Sequence, residues 1–508
     1  MTIKYDVAVI GGGGSGLVAA VRAAQLGGKK VVILEKSGRT GGGMVMASTM
    51  RTFRSKWQEE KNLPDVTDMY LRKVMQDTYW RLDPELVGNA ILATGKFFDW
   101  FLDLAGKEAG EKFRIGRYVF DDENGPLGPQ MGGPGGVTGG GRFFMDTLRE
   151  KCKDYGVDIL LKHRVKDAEY KDGKISAVIA DSPSGEVKVL CDSAIVACGS
   201  WINNDEIMKE ICPQFLNAKK SIGPSAHMNP NYTGDGFSIT KKANVKYDKS
   251  NYTLRMMGPM VMSKYVMPPN MGDSPFSIAV NKSSKRYACE PTQPRMGIFD
   301  SGLVMMEQPD GAVYIIFDKN TIEAQIKDAK ENPKKEDDNI FTPPPLPETL
   351  VEAIEDMDNA AQNEADIYKA DTIEKLAEEI GLDAFILSET ISEYNAGCEA
   401  GFDKKCFKES KYLVPINEGP FYAIKAKLGT DGAFGGVLVN PNMLAYREDG
   451  SIVDNLYVTG DFASGRFVNM GGVKVQVLND MSWALAGGFI AGSDVCKRGV
   501  KYWHKSTN

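Results

Sequence analysis

The residues Val7–Ile10 form a continuous apolar run with β-branched members, the pattern of a strand buried on both faces of a parallel sheet. A glycine cluster, Gly11 to Gly16, follows at once, and Leu17–Leu26 reads as a helix. A second strand, Lys30–Leu34, ends at Glu35. The stretch from Asp65 to Gly106 reads as helical, and a long glycine-rich loop runs from Gly125 to Gly141. Arg142–Tyr155 reads as a helix. Val157–Leu160, Asp167–Tyr170, Ile175–Asp181 and Glu186–Leu190 read as short strands with hairpin turns at Asp172-Gly173 and Ser184-Gly185. Ser193–Ala197 is another buried strand, ending in the turn Cys198-Gly199-Ser200.

The texture changes at about Tyr247. Methionines crowd the next stretch, a Pro- and charge-rich linker spans Asn332–Pro347, and amphipathic helices occupy Glu348–Cys398. After Lys425 strands and glycines return at Gly435–Val439, Asn455–Val458 and Gly460, and a helix from about Val477 to Arg498 closes the chain. This predicts a first domain of residues 1–246 and 426–508, interrupted by a second at 247–425. The fold class is α/β, with a Rossmann-like body and an inserted α+β domain.

Composition narrows the function. The 508 residues carry 61 Lys+Arg against 68 Asp+Glu, a net charge of −7 without a dense basic stripe, which excludes a nucleic-acid binder. Hydrophobic residues make up 42% and charged residues 25%, the proportions of a globular chain rather than a disordered one. No apolar run approaches the ~18 to 20 residues of a membrane helix, and Lys4-Tyr5-Asp6 leads straight into a strand. A protein with no signal peptide, no membrane span and a cytoplasmic address is expected. Eight scattered cysteines form no CxxC pair and only three histidines occur, so no metal site and no serine triad is expected.

The first βαβ unit carries GxGxxG at Gly11, Gly13 and Gly16, with Glu35 placed 19 positions after Gly16. Glycine here permits a tight turn and brings backbone N–H groups to a pyrophosphate at the positive end of a helix, while the acid accepts from the ribose hydroxyls. A carboxylate at that place repels the 2′-phosphate of NADP. Asn455–Asp461 reads as a strand ending in Gly460-Asp461, which brings a carboxylate to a ribityl hydroxyl and favours FAD over NAD. A helix N-terminus following it suits the anionic reduced ring.

With these residues in place, the chain resembles the fumarate reductase and 3-ketosteroid dehydrogenase flavoprotein superfamily, in its soluble single-subunit branch. The resemblance rests on VIGGGGSGLVAA with Glu35, Thr40-Gly41-Gly42-Gly43, VTGGGRFFMDTL (137–148), IVACGSW (195–201), YTGDG (232–236), GPFYAIKA (419–426), GAFGGVLVN (432–440), DGSIVDNLYVTGD (449–461) and WALAGGFIAG (483–492). It implies a flavin domain of the glutathione-reductase type interrupted by a capping domain, with hydride passing between flavin N5 and the β-carbon of an alkene conjugated to a carbonyl or carboxylate. The implied FAD contacts are Gly11, Gly13, Gly14, Ser15 and Gly16, then Glu35 and Lys36, then Thr40, Gly41, Gly42, Gly43 and Met44. Further on they are Gly139, Gly140 and Gly141, Val165, Ala197, Cys198 and Gly199, Asp235, Gly436, Gly460 and Asp461, and Val477. Membrane-bound relatives attach FAD to a histidine where this chain has Met44–Thr49, so the resemblance implies non-covalent FAD.

The resemblance also supplies the candidates for proton transfer. Arg295 lies near the position of the family's arginine, after Arg286–Glu290, and Tyr422 occupies that of a ketosteroid dehydrogenase tyrosine. Free guanidinium, with a pKa above ~12, donates only within a relay, whereas a phenol near ~10 serves as acid or base. Tyr252 is a further candidate, and Arg255 and Arg466 suit a single carbonyl or carboxylate. Dicarboxylate-reducing relatives hold substrate with two histidines, where this chain has Met256 or its neighbours and Asp431-Gly432. The methionines 256, 257, 260, 262, 267 and 271 form either a wall for a large apolar substrate or plain core. The expectation is an FAD-dependent enzyme acting on an apolar, aromatic or steroid-like alkene, with a separate electron partner such as a reductase, NADH or a flavin carrier. A 3-ketosteroid dehydrogenase and an electron-transferring flavoprotein component are the alternatives.

Overall fold

The structure is a computed structural model that describes residues 1–47, 49–115, 130–132, 140–213, 216, 230–261, 263–272, 274–288, 290, 302, 304–332, 345–465, 467–470 and 473–496. The chain divides into two compact units. One comprises Met1–Cys212, Asn229–Leu254 and Gly432–Asn508, the other Pro213–Met228 and Arg255–Asp431.

The first unit is built on an eight-stranded sheet. Its path runs Leu444–Tyr446, Ile452–Val458, Gly185–Val196, Thr2–Ile10, Val31–Glu35 and Asp158–Leu161, with a hairpin of Arg164–Lys171 and Lys174–Ser182 attached to Gly185–Val196. The strands on both sides of Thr2–Ile10 run parallel to it, in register Val7↔Val31 and Val7↔Ser193. Every residue of Val31–Glu35 is buried, as a strand covered on both faces requires. The two strands expected at 186–190 and 193–197 are one. Lys188–Cys191 pair with Thr2–Tyr5 and Ser193–Val196 with Val7–Ile10, so a single 12-residue strand serves both the hairpin and the parallel core. The turn Asp172-Gly173 has φ of 51° and 74°, the left-handed pair that a two-residue hairpin needs.

Helices fix the ends of this sheet. Gly14–Gly27 stops at Gly28, which is left-handed. Pro84–Ala105 starts on the Asp83 side chain, which accepts from the N–H groups of Glu85 and Leu86. The last helix, Asp480–Asp494, begins three residues later than the pattern predicts, because Asn479 caps it by accepting from Ser482 N–H. A Cβ on Gly488 would collide with the Ser15 carbonyl, so glycine lets this helix lie directly on the first one. Phe97 packs on Phe101, Phe144 and Phe489 with ring centroids 5.9–6.3 Å apart, joining three helices in one core.

The second unit holds a five-stranded sheet in which Phe421–Phe434 pairs with Thr253–Met260, Val313–Asp318 and Ile367–Ala370, and Ile278–Asn281 forms an edge. The predicted helical stretch resolves into Leu350–Asn363, Ile373–Ile380 and Ala384–Ala400, with the strand Ile367–Ala370 between the first two. That strand buries only its two ends, so no alternating pattern announces it. Leu376, Leu387, Ile391 and Tyr394 cluster with Ile278, Val280, Ile316 and Ala423 as the core of one sheet face. Lys319–Glu331 and Leu350–Asn363 each start in a reciprocal capping box, Asp318 with Thr321 and Thr349 with Glu352. Among the described residues no helix is long and apolar enough to cross a membrane.

Candidate functional site

The glycine turn after Thr2–Ile10 is shaped for a ligand that approaches the backbone closely. Gly11 has φ 103°, and a Cβ on Gly16 would collide with the Gly11 carbonyl oxygen. A Cβ on Gly13 would meet nothing within 4 Å, so this residue opens onto space at the start of Gly14–Gly27. No side chain caps that helix and no acid stands in its first turn, which leaves its positive end for a bound anion. The Thr40–Met44 segment folds back onto the turn: Gly41 N–H donates to the Gly12 carbonyl at 2.7 Å, and a Cβ on Gly14 would collide with Met44. Thr40 packs beside Gly12 and accepts from Arg149 Nε at 2.9 Å. Gly141 N–H donates to the Ala47 carbonyl at 2.8 Å, in the helix Gly140–Asp154. On the other side, Ala197 N–H donates to the Ile10 carbonyl at 2.8 Å, which sets Ala197-Cys198-Gly199 beside Gly11.

Glu35 is buried at the end of its strand. Its Oε2 accepts from Gly12 N–H and its Oε1 from Ser37 N–H, both at 2.8 Å. Each oxygen keeps a lone pair for a ribose hydroxyl. Lys36 turns the other way, 2.8 Å from Asp235 and 2.6 Å from Thr233 Oγ1, so its ammonium is engaged within the protein. Arg164 joins Asp235 at 2.7 Å. Burial pushes the Asp235 carboxyl upward, but hydrogen bonds from Arg164 and Lys36 outweigh it and hold the group below the usual range. Val165, the next residue, is buried and pairs with Ala180.

The C-terminal motifs converge on the same helix end. Gly460 is left-handed, and a Cβ there would lie 2.8 Å from Ser15 Oγ. Its carbonyl accepts from Trp483 Nε1 of the last helix at 3.2 Å, and the Ser15 contact puts Gly460 beside the first turn of Gly14–Gly27. Buried Thr459 Oγ1 has no hydrogen-bond partner among the described residues. Gly436 packs so closely on the Phe462 carbonyl that a side chain would collide with it. Below it, the buried carboxylate of Asp248 accepts from Asn251 Nδ2 at 2.8 Å and from Ser464 Oγ, and its N–H donates to the Gly436 carbonyl. The Asp248 tie between the two motif loops had no signal in the sequence, because it depends on contacts more than 180 residues apart.

The remaining assignments disperse. Val477 precedes the last helix, and its carbonyl accepts from Tyr70 Oη. Tyr252 is buried in the first unit against Trp201, with ring centroids 5.7 Å apart, and its hydroxyl has no partner among the described residues. Tyr422 is fully buried in the second unit, where its hydroxyl donates to Asp358 Oδ1 at 2.7 Å. Asp358 is paired in turn with Lys369 at 2.6 Å. Burial, then the bond to Asp358 and its charge, raise the Tyr422 phenol above its ordinary value. Arg286, from the segment matched to the family's arginine region, is locked between Glu290 at 2.6 Å and Asp403 at 2.8 Å. Met267 and Met271 are fully buried core residues. Arg295, Arg466, Gly139 and Met262 lie outside the described residues.

An uncapped helix start, an open glycine and a buried acid at the second strand fit a dinucleotide, and together they define a Rossmann-type dinucleotide-binding protein. Residues 6–473 match the FAD binding domain family, and the chain belongs to it. Its cofactor is FAD, and it is an FAD-dependent oxidoreductase. The chain is 24% identical over 505 residues to the "Probable fumarate reductase Ifc3" of Shewanella frigidimarina, covering 97% of this chain and 75% of that one. It is 24% identical over 480 residues to the vinyl phenol reductase of Lactiplantibacillus plantarum, covering 91% and 90%. The fold is shared with the 3-ketosteroid-Δ4-(5α)-dehydrogenase of Rhodococcus jostii, at a TM-score of 0.68 and 20% identity over 97% of each chain.

Proposed function

We propose that this protein reduces a carbon–carbon double bond conjugated to a carbonyl or carboxylate in an apolar or aromatic substrate, or forms that bond by removing hydrogen from the saturated compound. The observation that carries the substrate class is the residue pair at the positions where dicarboxylate-reducing relatives keep histidines: methionine near 256 and Asp431-Gly432. The two histidine ligands that hold a dicarboxylate are missing at these positions, and its two charges lose those partners. The relative named vinyl phenol reductase, matched over 90% of its length, supports an aromatic substrate.

FAD, when bound, supplies a ring nitrogen that gives or takes a hydride. The chain's own residues hold and orient it. Glu35 would offer lone pairs to the ribose, the uncapped N-terminus of Gly14–Gly27 would take the pyrophosphate, and Gly460-Asp461 stands at the same helix end. Attachment is non-covalent, since Met44–Thr49 offers no histidine. Tyr422 is a poor proton donor in this scheme because its hydroxyl is committed to Asp358. Proton delivery is assigned instead to Arg295 as one member of a relay with a carboxylate or water, with Arg255 and Arg466 orienting the activating group. Electrons come from a separate partner in the cytoplasm.

The test is anaerobic reoxidation of the reduced protein by a panel of cinnamates, vinylphenols, enones, ketosteroids and fumarate. Aromatic and apolar alkenes are expected to restore the oxidised spectrum faster than fumarate. Fumarate as the fastest oxidant would overturn the substrate class. Reoxidation by a carrier protein alone would overturn the enzyme reading in favour of an electron-transferring component.

A further inference from the structure

A short segment crosses the mouth of the glycine turn. The sheet order places the loop after Gly185–Val196 on one side of Thr2–Ile10 and the loop after Val31–Glu35 on the other. Tyr232 reaches both. A Cβ on Gly43 would collide with the Tyr232 hydroxyl, and one on Gly199 would lie 3.1 Å from Cε1 of the same ring. Gly199 is left-handed at φ 74°, so its backbone and its lack of a side chain both suit the ring lying over it. The ring therefore spans the carboxyl end of the central strand, the crevice in which this fold takes its nucleotide.

The segment is fastened along its length. Asn203 N–H donates to the Tyr232 carbonyl at 2.8 Å, Asn204 Nδ2 to the Thr233 carbonyl at 3.0 Å, and Gly234 N–H to the Ser200 carbonyl at 3.2 Å. From the other side Lys36, the residue after Glu35, holds Thr233 and Asp235, while Arg164 adds a second cation to Asp235. The Lys36 and Asp235 side chains are only 17% and 8% exposed, so solvent screens their pairing little.

We propose that Tyr232 closes the adenosine half of the FAD site, its ring lying against the nucleotide, and that the Lys36–Asp235 pair latches the 231–235 segment in place. The inference rests on the FAD reading above and gives a physical reason why cofactor held without a covalent bond is retained. Adenosine is the half concerned because the latch is the residue next to the ribose-binding acid. Aromatic stacking on a purine adds affinity without altering flavin chemistry.

The experiment measures FAD dissociation from the holoprotein and ADP binding to the apoprotein, in wild type, Tyr232→Ala, Tyr232→Phe and Lys36→Met. Tyr232→Ala is expected to weaken FAD and ADP alike by about tenfold, the factor carried by about 1.4 kcal/mol. Tyr232→Phe is expected to stay within about twofold of wild type and Lys36→Met to fall between them. The flavin midpoint potential should not move in any variant. Unchanged affinity in Tyr232→Ala and Lys36→Met overturns the proposal, as does loss of FAD affinity with ADP affinity intact. Wild-type protein that fails to bind FAD would instead sink the cofactor reading itself.

Discussion

Glu35 holds the glycine turn, since its two oxygens take the N–H groups of Gly12 and Ser37, besides the ribose-binding role proposed for it. Glu35→Gln turns one acceptor into a donor facing an N–H, and the buried mismatch costs about 1–3 kcal/mol. The expected outcome is FAD lost on dialysis together with a lower melting temperature of the apoprotein; a variant that stays fully yellow contradicts it. Tyr422→Phe should cost only about 1 kcal/mol of stability and leave turnover within about tenfold, because its hydroxyl serves Asp358. A hundredfold loss of turnover would return Tyr422 to the chemistry. The contrast marks what a sequence shows at this scale. Spacing located Glu35, because an acid that far after GxGxxG has one geometric role. Tyr422 came only from the family resemblance, which could not say that α-helix Leu350–Asn363 brings Asp358 to its hydroxyl.

Among the elements, the first helix is the most constrained. Gly16→Ala must push the helix off the Gly11 carbonyl, and flavin content of the purified variant is expected to fall to near zero while far-ultraviolet circular dichroism stays native-like. In the second unit, Arg286 ties Glu290 to Asp403. Burial opposes ionisation of Asp403, but the Arg286 hydrogen bonds and charge, with the N–H groups of Cys406 and Lys408, lower it to about 2. A carboxyl lowered on folding contributes stability above its unfolded value near ~3.9 and loses it as pH falls toward the folded value. Thermal melts are therefore expected to drop between pH ~4 and ~2, and Asp403→Asn should remove that part of the dependence. Apolar periodicity revealed most of these elements. It failed where length was set by pairing, as in Gly185–Val196, and at the last helix, whose start belongs to Asn479.

For the whole molecule, each unit has a core of its own, one around the parallel sheet and one around Ile278–Ala423. Calorimetry of the holoprotein is expected to resolve two transitions. Free FAD at about 100 times its Kd should stabilise by about 2.7 kcal/mol only the transition of the first unit. A single transition that shifts as one with FAD would contradict this. The change of texture near residues 247 and 425 leads to the expectation of an inserted domain. The partners that hold the motifs together were not legible, because Asp248, Ser464 and Gly436 meet only through the tertiary fold.

The close seat of Asp480–Asp494 on Gly14–Gly27 has a consequence for biosynthesis. The nucleotide turn leaves the ribosome long before the helix that buttresses it. Ile452–Val458, which flanks Gly185–Val196, is also translated late. The continuous segment 255–431 can collapse while the earlier half still waits for its neighbours. A nascent polypeptide stalled short of residue 450 should emerge colourless, and the yellow should develop only after release of the finished chain.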